Sequence, residues 1–161
     1  MRTRVLCLGN DLMADDAVGP SVARHLRSLR MPDVEVVETP ESGLRLLDYL
    51  EAERLVVVDA VSSGGAPPGT LYVLDREQLP CAHAVSPHYA GLQEALLLGL
   101  ALGLAVAEQV TVLAVETADC LTVGGPMNPA VERAVLRIVD IIRQDVALSS
   151  AGMAAASQGA I

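Results

Sequence analysis

Two carboxylates and one imidazole are the residues of this sequence best placed to do chemistry: Asp16, Asp59 and His88. Asp16 follows the apolar run Arg4–Leu8 across the turn Gly9-Asn10-Asp11-Leu12-Met13-Ala14-Asp15. Asp59 ends the apolar run Leu55–Val58, and His88 stands in Ser86-Pro87-His88-Tyr89 ahead of an apolar helix. This mixture of oxygen and nitrogen donors suits a divalent transition metal with coordination positions left open. Each residue also has a plainer reading, since an Asp near a helix start is commonly a cap. A single His is commonly packed or solvated; His25, between Arg24 and Arg27, and His83, after Cys81, are read that way.

The elements that must position the trio follow from the pattern of apolar residues. Strands are predicted at Arg4–Leu8, Val34–Val37, Leu55–Val58, Thr70–Leu74 and Val110–Val115. Val18, Val22, Leu26 and Leu29 mark one face of a helix, with Asp15 and Asp16 at its favourable positive end. Leu44 to Leu50 outlines a helix that Ser42 caps, and Tyr89 to about Gly103 a very apolar one. Asn128 and Pro129 supply the cap and first position of a last helix, buried through Val131, Val135, Ile138 and Ile142. Alternating strands and helices predict an α/β chain: a three-layer α/β/α sandwich around a mainly parallel sheet of about five strands. In such sheets ligands gather beyond the carboxyl ends of the strands, where Asp16, Asp59 and the loop bearing His88 would meet. One catalytic domain is expected over residues 1–146, followed by an Ala-rich flexible tail, 147–161.

Composition removes other classes. The 161 residues carry 11 basic against 20 acidic side chains, a net charge of −9, and every cation is Arg. Without Lys there is no Schiff-base nucleophile and no Lys-bearing phosphate loop. An acidic chain without Phe or Trp argues against nucleic acid, which needs basic grooves and stacking platforms. The run Ala95–Ala107 contains Gly99 and Gly103 and falls short of the roughly 18 residues of a membrane span. Cys7, Cys81 and Cys120 form no Cys-x-x-Cys pair and read as idle thiols in a reducing cytoplasm. Cys7 stands where a dinucleotide fingerprint has its first Gly, and no Gly-x-Ser-x-Gly elbow exists.

In order and spacing, these segments resemble the endopeptidases that mature nickel-iron hydrogenases, over about Arg4 to Arg143. The resemblance rests on Leu8-Gly9-Asn10-x-Leu12-x-x-Asp15-Asp16-x-x-Gly19, then Ser42-Gly43-x-x-Leu46-Leu47. It continues through Val57-Val58-Asp59-Ala60-Val61 with Pro68-Gly69-Thr70, then Ser86-Pro87-His88-x-x-Gly91-Leu92. Val115-Glu116 and Asn128-Pro129-x-Val131 close it. The chain departs from that pattern at Cys7, where many relatives have Gly. It departs again at Glu38-Thr39-Pro40-Glu41, where many have Asp-Gly-Gly-Thr.

The resemblance implies an aspartyl-type peptidase acting on a hydrogenase large-subunit precursor, cut once near its C-terminus after nickel is loaded. It implies that Asp16, Asp59 and His88 contact that nickel, which arrives with the substrate, so no permanent cofactor is expected. The general base would be a carboxylate, Asp16 or Glu38. The acidic surface suits a partner with a basic C-terminal tail. The chain is expected to be a cytoplasmic monomer that binds neither nucleic acid nor membrane. Two other readings are a non-catalytic nickel-binding chaperone relative, given the altered Glu38–Glu41 loop, and a small-molecule enzyme using a nucleotide or methyl donor held by Glu38 and Asp59.

Overall fold

The computed structural model describes residues 2–79 and 88–158, and side chains within 2–79 and 91–148. Five strands form one sheet: β1 (Thr3–Leu8), β2 (Val34–Thr39), β3 (Arg54–Val61), β4 (Leu71–Asp75) and β5 (Gln109–Glu116). Their spatial order is β2-β1-β3-β5-β4. All neighbours run parallel except β4, which lies antiparallel to β5 at the edge. The central strands are near-continuous apolar runs because both of their faces are covered.

Helices α1 (Val18–Leu29) and α3 (Pro129–Gln158) pack on one face, meeting Val5, Cys7, Val56 and Val58. A 3-10 helix (Gly43–Tyr49) and α2 (His88–Ala101) cover the other, meeting Leu6, Leu8, Leu55 and Val57. The period of two along each strand assigns alternate residues to the two layers. The predicted three-layer architecture is therefore present, with a mostly parallel sheet.

Local details differ instructively. Asn128 caps α3 as expected, its Oδ1 accepting the Ala130 N–H at 2.9 Å. The segment after Ser42 is a 3-10 helix with no capping bond from the Ser42 side chain; this tighter form is usual in short segments. Of its leucines only Leu46 is buried, with Leu50 just beyond its end, so little packing favours a longer α-helix. The backbone of α3 stays helical through the Ala-rich stretch from Ala147 to Gln158, as suits the strongest helix former. Among the described residues no helix is long and apolar enough to cross a membrane.

Candidate active site

The chain leaves β1 through α1 to reach β2 on one side, then returns through the opposite layer to β3 on the other. This reversal opens a crevice beyond the carboxyl ends of β1 and β3, the usual binding position in such sheets. A cavity of about 330 Å³ lies there, lined by the end of β1, the loop after β2, Asp59 of β3 and Cys120 after β5. Asp16 and Asp59 both line it, together with Glu41, and among the described residues no Arg does.

Asp16 is held by the turn before it. Gly9 has φ +126°, and a Cβ there would collide with the Asp16 carbonyl oxygen. The Asn10 N–H donates to Asp16 Oδ2 at 2.9 Å, and the Asn10 side-chain oxygen accepts from the Leu12 N–H at 3.0 Å. Asp59 does not end its strand as expected. β3 runs on to Val61, and Asp59 stands in register with Ala114 of β5, buried, its Oδ1 accepting from the Ala60 N–H at 2.9 Å. His88 is the first residue of α2, one turn before Gly91. Gly91 packs so tightly on Gly43 that a Cβ would stand 2.6 Å from the Gly43 Cα, which seats the start of α2 beside cavity-lining Ser42. The side chain of His88, with Cys81 and His83, lies outside the described residues. Among those described, no three His, Cys, Asp or Glu side chains form a metal-holding group.

Asp15 does something else. Both aspartates belong to a 3-10 turn, Ala14–Ala17, ahead of α1 rather than to the helix itself. The buried Asp15 carboxylate accepts from the N–H groups of Ala118 (2.8 Å), Asp119 (3.0 Å) and Asn128 (2.6 Å). It thereby fixes the loop after β5 and the entrance to α3. Asp119 folds that loop on itself, accepting from the Leu121 and Thr122 N–H groups, and hydrogen bonds to Thr122 and Leu121 hold its carboxyl below the ordinary range.

Cys120 is a cavity residue that sequence reasoning missed. The rule that selected Asp59, position just beyond a strand's carboxyl end, applies equally to the segment after β5. Burial raises the Cys120 pKa; a hydrogen bond with Thr117 opposes this, while the charges of Asp16, Asp15 and Asp59 raise it further. A raised pKa disfavours the thiolate, which is the nucleophilic form. The same holds for Cys7: burial above all pushes its thiol up to about 12.

Glu38 is not brought to the cavity. It stands opposite Cys7 in the sheet, so alternation turns it toward α1, where its Oε2 accepts from Arg27 at 2.9 Å. This placement removes it both as a partner of Asp16 and as a ribose ligand beside Asp59. Glu41, from the same altered loop, does line the cavity and pairs with Arg45 at 3.2 Å. Glu116, at the end of β5, is also committed: its carboxylate accepts from Ser63 Oγ, the Ser63 and Gly64 N–H groups, and Tyr72 Oη at 3.0 Å.

A model of the HycI hydrogenase maturation protease family matches residues 20–145. The chain belongs to the hydrogenase maturation protease family. Among relatives of this maturation protease, HupD of Bradyrhizobium diazoefficiens is 32% identical over 152 residues, 91% of this chain and 78% of that protein. HoxM of Cupriavidus necator is 33% identical over 147 residues, 85% and 72% of the two chains. The hydrogenase 2 maturation protease of Escherichia coli is 35% identical over 101 residues, 60% of this chain and 62% of its own length, under two thirds of that relative. The solved structure of the Escherichia coli maturating endopeptidase HybD superposes with a TM-score of 0.78 at 27% identity, covering 92% of this chain and 94% of that one. HybD of Thermococcus kodakarensis gives 0.72 at 28% identity, over 89% and 98%. This maturation protease is accordingly a peptidase, and the crevice carrying Asp16 and Asp59 is its candidate active site.

Proposed function

We propose that this protease removes the C-terminal extension of a nickel-iron hydrogenase large-subunit precursor, and that it does so after nickel has been loaded. The observation that carries the reading is the pairing of Asp16 and Asp59 in one cavity that, among the described residues, no Arg lines. Carboxylates gathered in a crevice without a lining Arg favour an incoming positive charge. Nickel already held by the substrate supplies that charge. Asp16, Asp59 and His88 contact it, so a precursor lacking nickel forgoes that attraction and binds less well.

Cleavage needs a water activated beside the scissile carbonyl. With Glu38 engaged by Arg27 in the α1 layer, Asp16 is the carboxylate suited to the role. It sits at the cavity mouth, half-buried, aimed by the Asn10 N–H. Asp16 takes a proton from water as the oxygen adds to the carbonyl carbon; the proton then passes to the leaving amine as the C–N bond breaks. The thiol of Cys120 lines the cavity without forming an acyl intermediate. The enzyme acts as a cytoplasmic monomer without a resident cofactor; its free Cys7 and Cys120 thiols suit a reducing compartment.

Incubation with nickel-loaded precursor tests this. The expected result is a mass loss equal to one C-terminal peptide, absent with nickel-free precursor and reduced at least about a hundredfold in His88→Ala. Tight binding with unchanged precursor mass would instead identify a nickel-binding chaperone and overturn the peptidase mechanism.

A further inference from the structure

The cavity accommodates only the residues beside the reacting bond, so a protein substrate must leave it across a rim. One stretch of that rim is rigid and apolar. The turn after β1 and the loop after β5 are joined as a short antiparallel ribbon through Ala14 N–H to Thr122 O (3.0 Å), Gly124 N–H to Leu12 O (2.7 Å) and Asp15 N–H to Asp119 O (2.9 Å). Met13 and Val123 face each other as its bridge, and Met13 also lines the cavity. Cross-strand partners share a face of a ribbon, so the apolar surface continues from the cavity wall onto Val123. Val123 is 74% exposed, Leu121 83% and Leu12 63%.

Single exposed leucines are ordinary, whereas several large apolar side chains grouped beside a cavity mark an interaction site. Rigidity matters too. Asp15 ties the ribbon down from beneath with three charge-assisted hydrogen bonds, so little ordering entropy remains to be lost on binding. Charge narrows the occupant: the ribbon carries exposed Asp11 and half-buried Asp119 and no Arg.

We infer that the Met13–Val123 ribbon is the docking platform for the substrate polypeptide next to the bond cut, taking an extended apolar segment flanked by basic residues. This rests on the proteolytic reading above, and it assigns to the ribbon a share of substrate affinity separate from nickel recognition. An extended chain advances about 3.4 Å per residue, so the docked segment lies within a few residues of the scissile bond.

The test is steady-state cleavage of nickel-loaded precursor by the full chain and by Leu121→Ser and Leu121→Ser/Val123→Ser, with Leu100→Ser of α2 as an exposed-leucine control. The double variant is expected to raise KM about tenfold or more with kcat within about threefold, the single variant to raise it less, and the control to change neither. Leu121→Ser removes a side chain with almost nothing packed on it, so an unchanged unfolding midpoint keeps the result interpretable if the double variant folds poorly. A photo-crosslinker at position 121 should capture a precursor peptide adjoining the cleavage site. Wild-type cleavage with unchanged KM in both variants overturns the docking platform alone. Failure of the wild type to cleave overturns the proteolytic reading and this inference with it.

Discussion

The two ends of the sheet carry acids in different company. At the amino ends of β1 and β3 a depression of about 530 Å³ is lined by Arg2, Arg4, Glu35, Glu51 and Glu53. Its acids are interleaved with Arg: Arg4 donates to Glu35 at 3.0 Å, Arg2 stands 3.8 Å from the same carboxylate, and nearby Arg54 pairs with Asp145. At the carboxyl ends the cavity is smaller, about 330 Å³, and among the described residues no Arg lines it. Size alone does not mark the candidate site; the matching of charges separates the two ends. The carboxyl end repeats the contrast between neighbours. Asp15 and Glu116 are saturated by N–H and hydroxyl donors of their own fold, whereas Asp16 and Asp59 border the cavity. Asp15 and Glu116 build the site's walls, and on the function proposed above Asp16 and Asp59, on the cavity surface, do its chemistry.

The sharpest way to break this division is to change the adjacent aspartates separately. Asp16→Asn should lower cleavage about a hundredfold or more while shifting unfolding free energy by no more than about 1 kcal/mol. Asp15→Asn should do the reverse first. Its amide would point a donor at N–H groups that need an acceptor, costing about 3 kcal/mol and loosening the loop after β5. Urea unfolding and single-turnover cleavage, measured on both variants, separate the roles. Equal stability losses at both positions would erase the distinction.

Much of this was legible in the sequence, though unevenly. The apolar runs of β1, β3 and β5 identified the sheet, and the Asn128-Pro129 pair located α3, because those signals are local. Asp16 and Asp59 followed from one topological rule. What escaped depends on register and on distant partners. Whether Glu38 faces the cavity or Arg27 turns on a single residue of alternation in β2. That Asp15 binds three N–H groups, on Ala118, Asp119 and Asn128, depends on segments more than a hundred residues away. Cys120 was read only as an idle thiol because a lone thiol after a strand carries no pattern of its own.

A smaller effect is expected at Glu116. Burial alone would raise its pKa, but hydrogen bonds from the Ser63 hydroxyl, the Gly64 N–H, the Tyr72 hydroxyl and the Ser63 N–H outweigh it and hold the carboxyl below the ordinary range. Its proton is released more readily in the folded than in the unfolded chain. The resulting stability is therefore present above the unfolded Glu value of about 4.3 and drains as pH falls through the lower folded value. Glu116→Gln should cost about 2 kcal/mol at pH 7 and flatten the acid limb of the stability profile below about pH 4. An acid limb identical to that of the wild type would mean that this network does not stabilise the charged form.

The smallest effect belongs at the opposite end, and it checks the contrast from the other side. Arg4 lies on β1, near its start, whereas the Asp16 turn follows the end of that strand. Its guanidinium donates to Glu35 through Nε (3.1 Å) and NH2 (3.0 Å) and to the Tyr49 carbonyl through NH1 (2.9 Å). Such a partly exposed pair contributes little beyond its geometry. Arg4→Met keeps the apolar stem and removes the charge, so about 1 kcal/mol of stability should be lost, and less at high salt. If the amino-end depression is only a stabilised surface, KM and kcat for precursor cleavage should both stay within about twofold of wild type. A tenfold rise in KM would place part of the substrate at this end, and charge matching would then fail as the criterion separating the two.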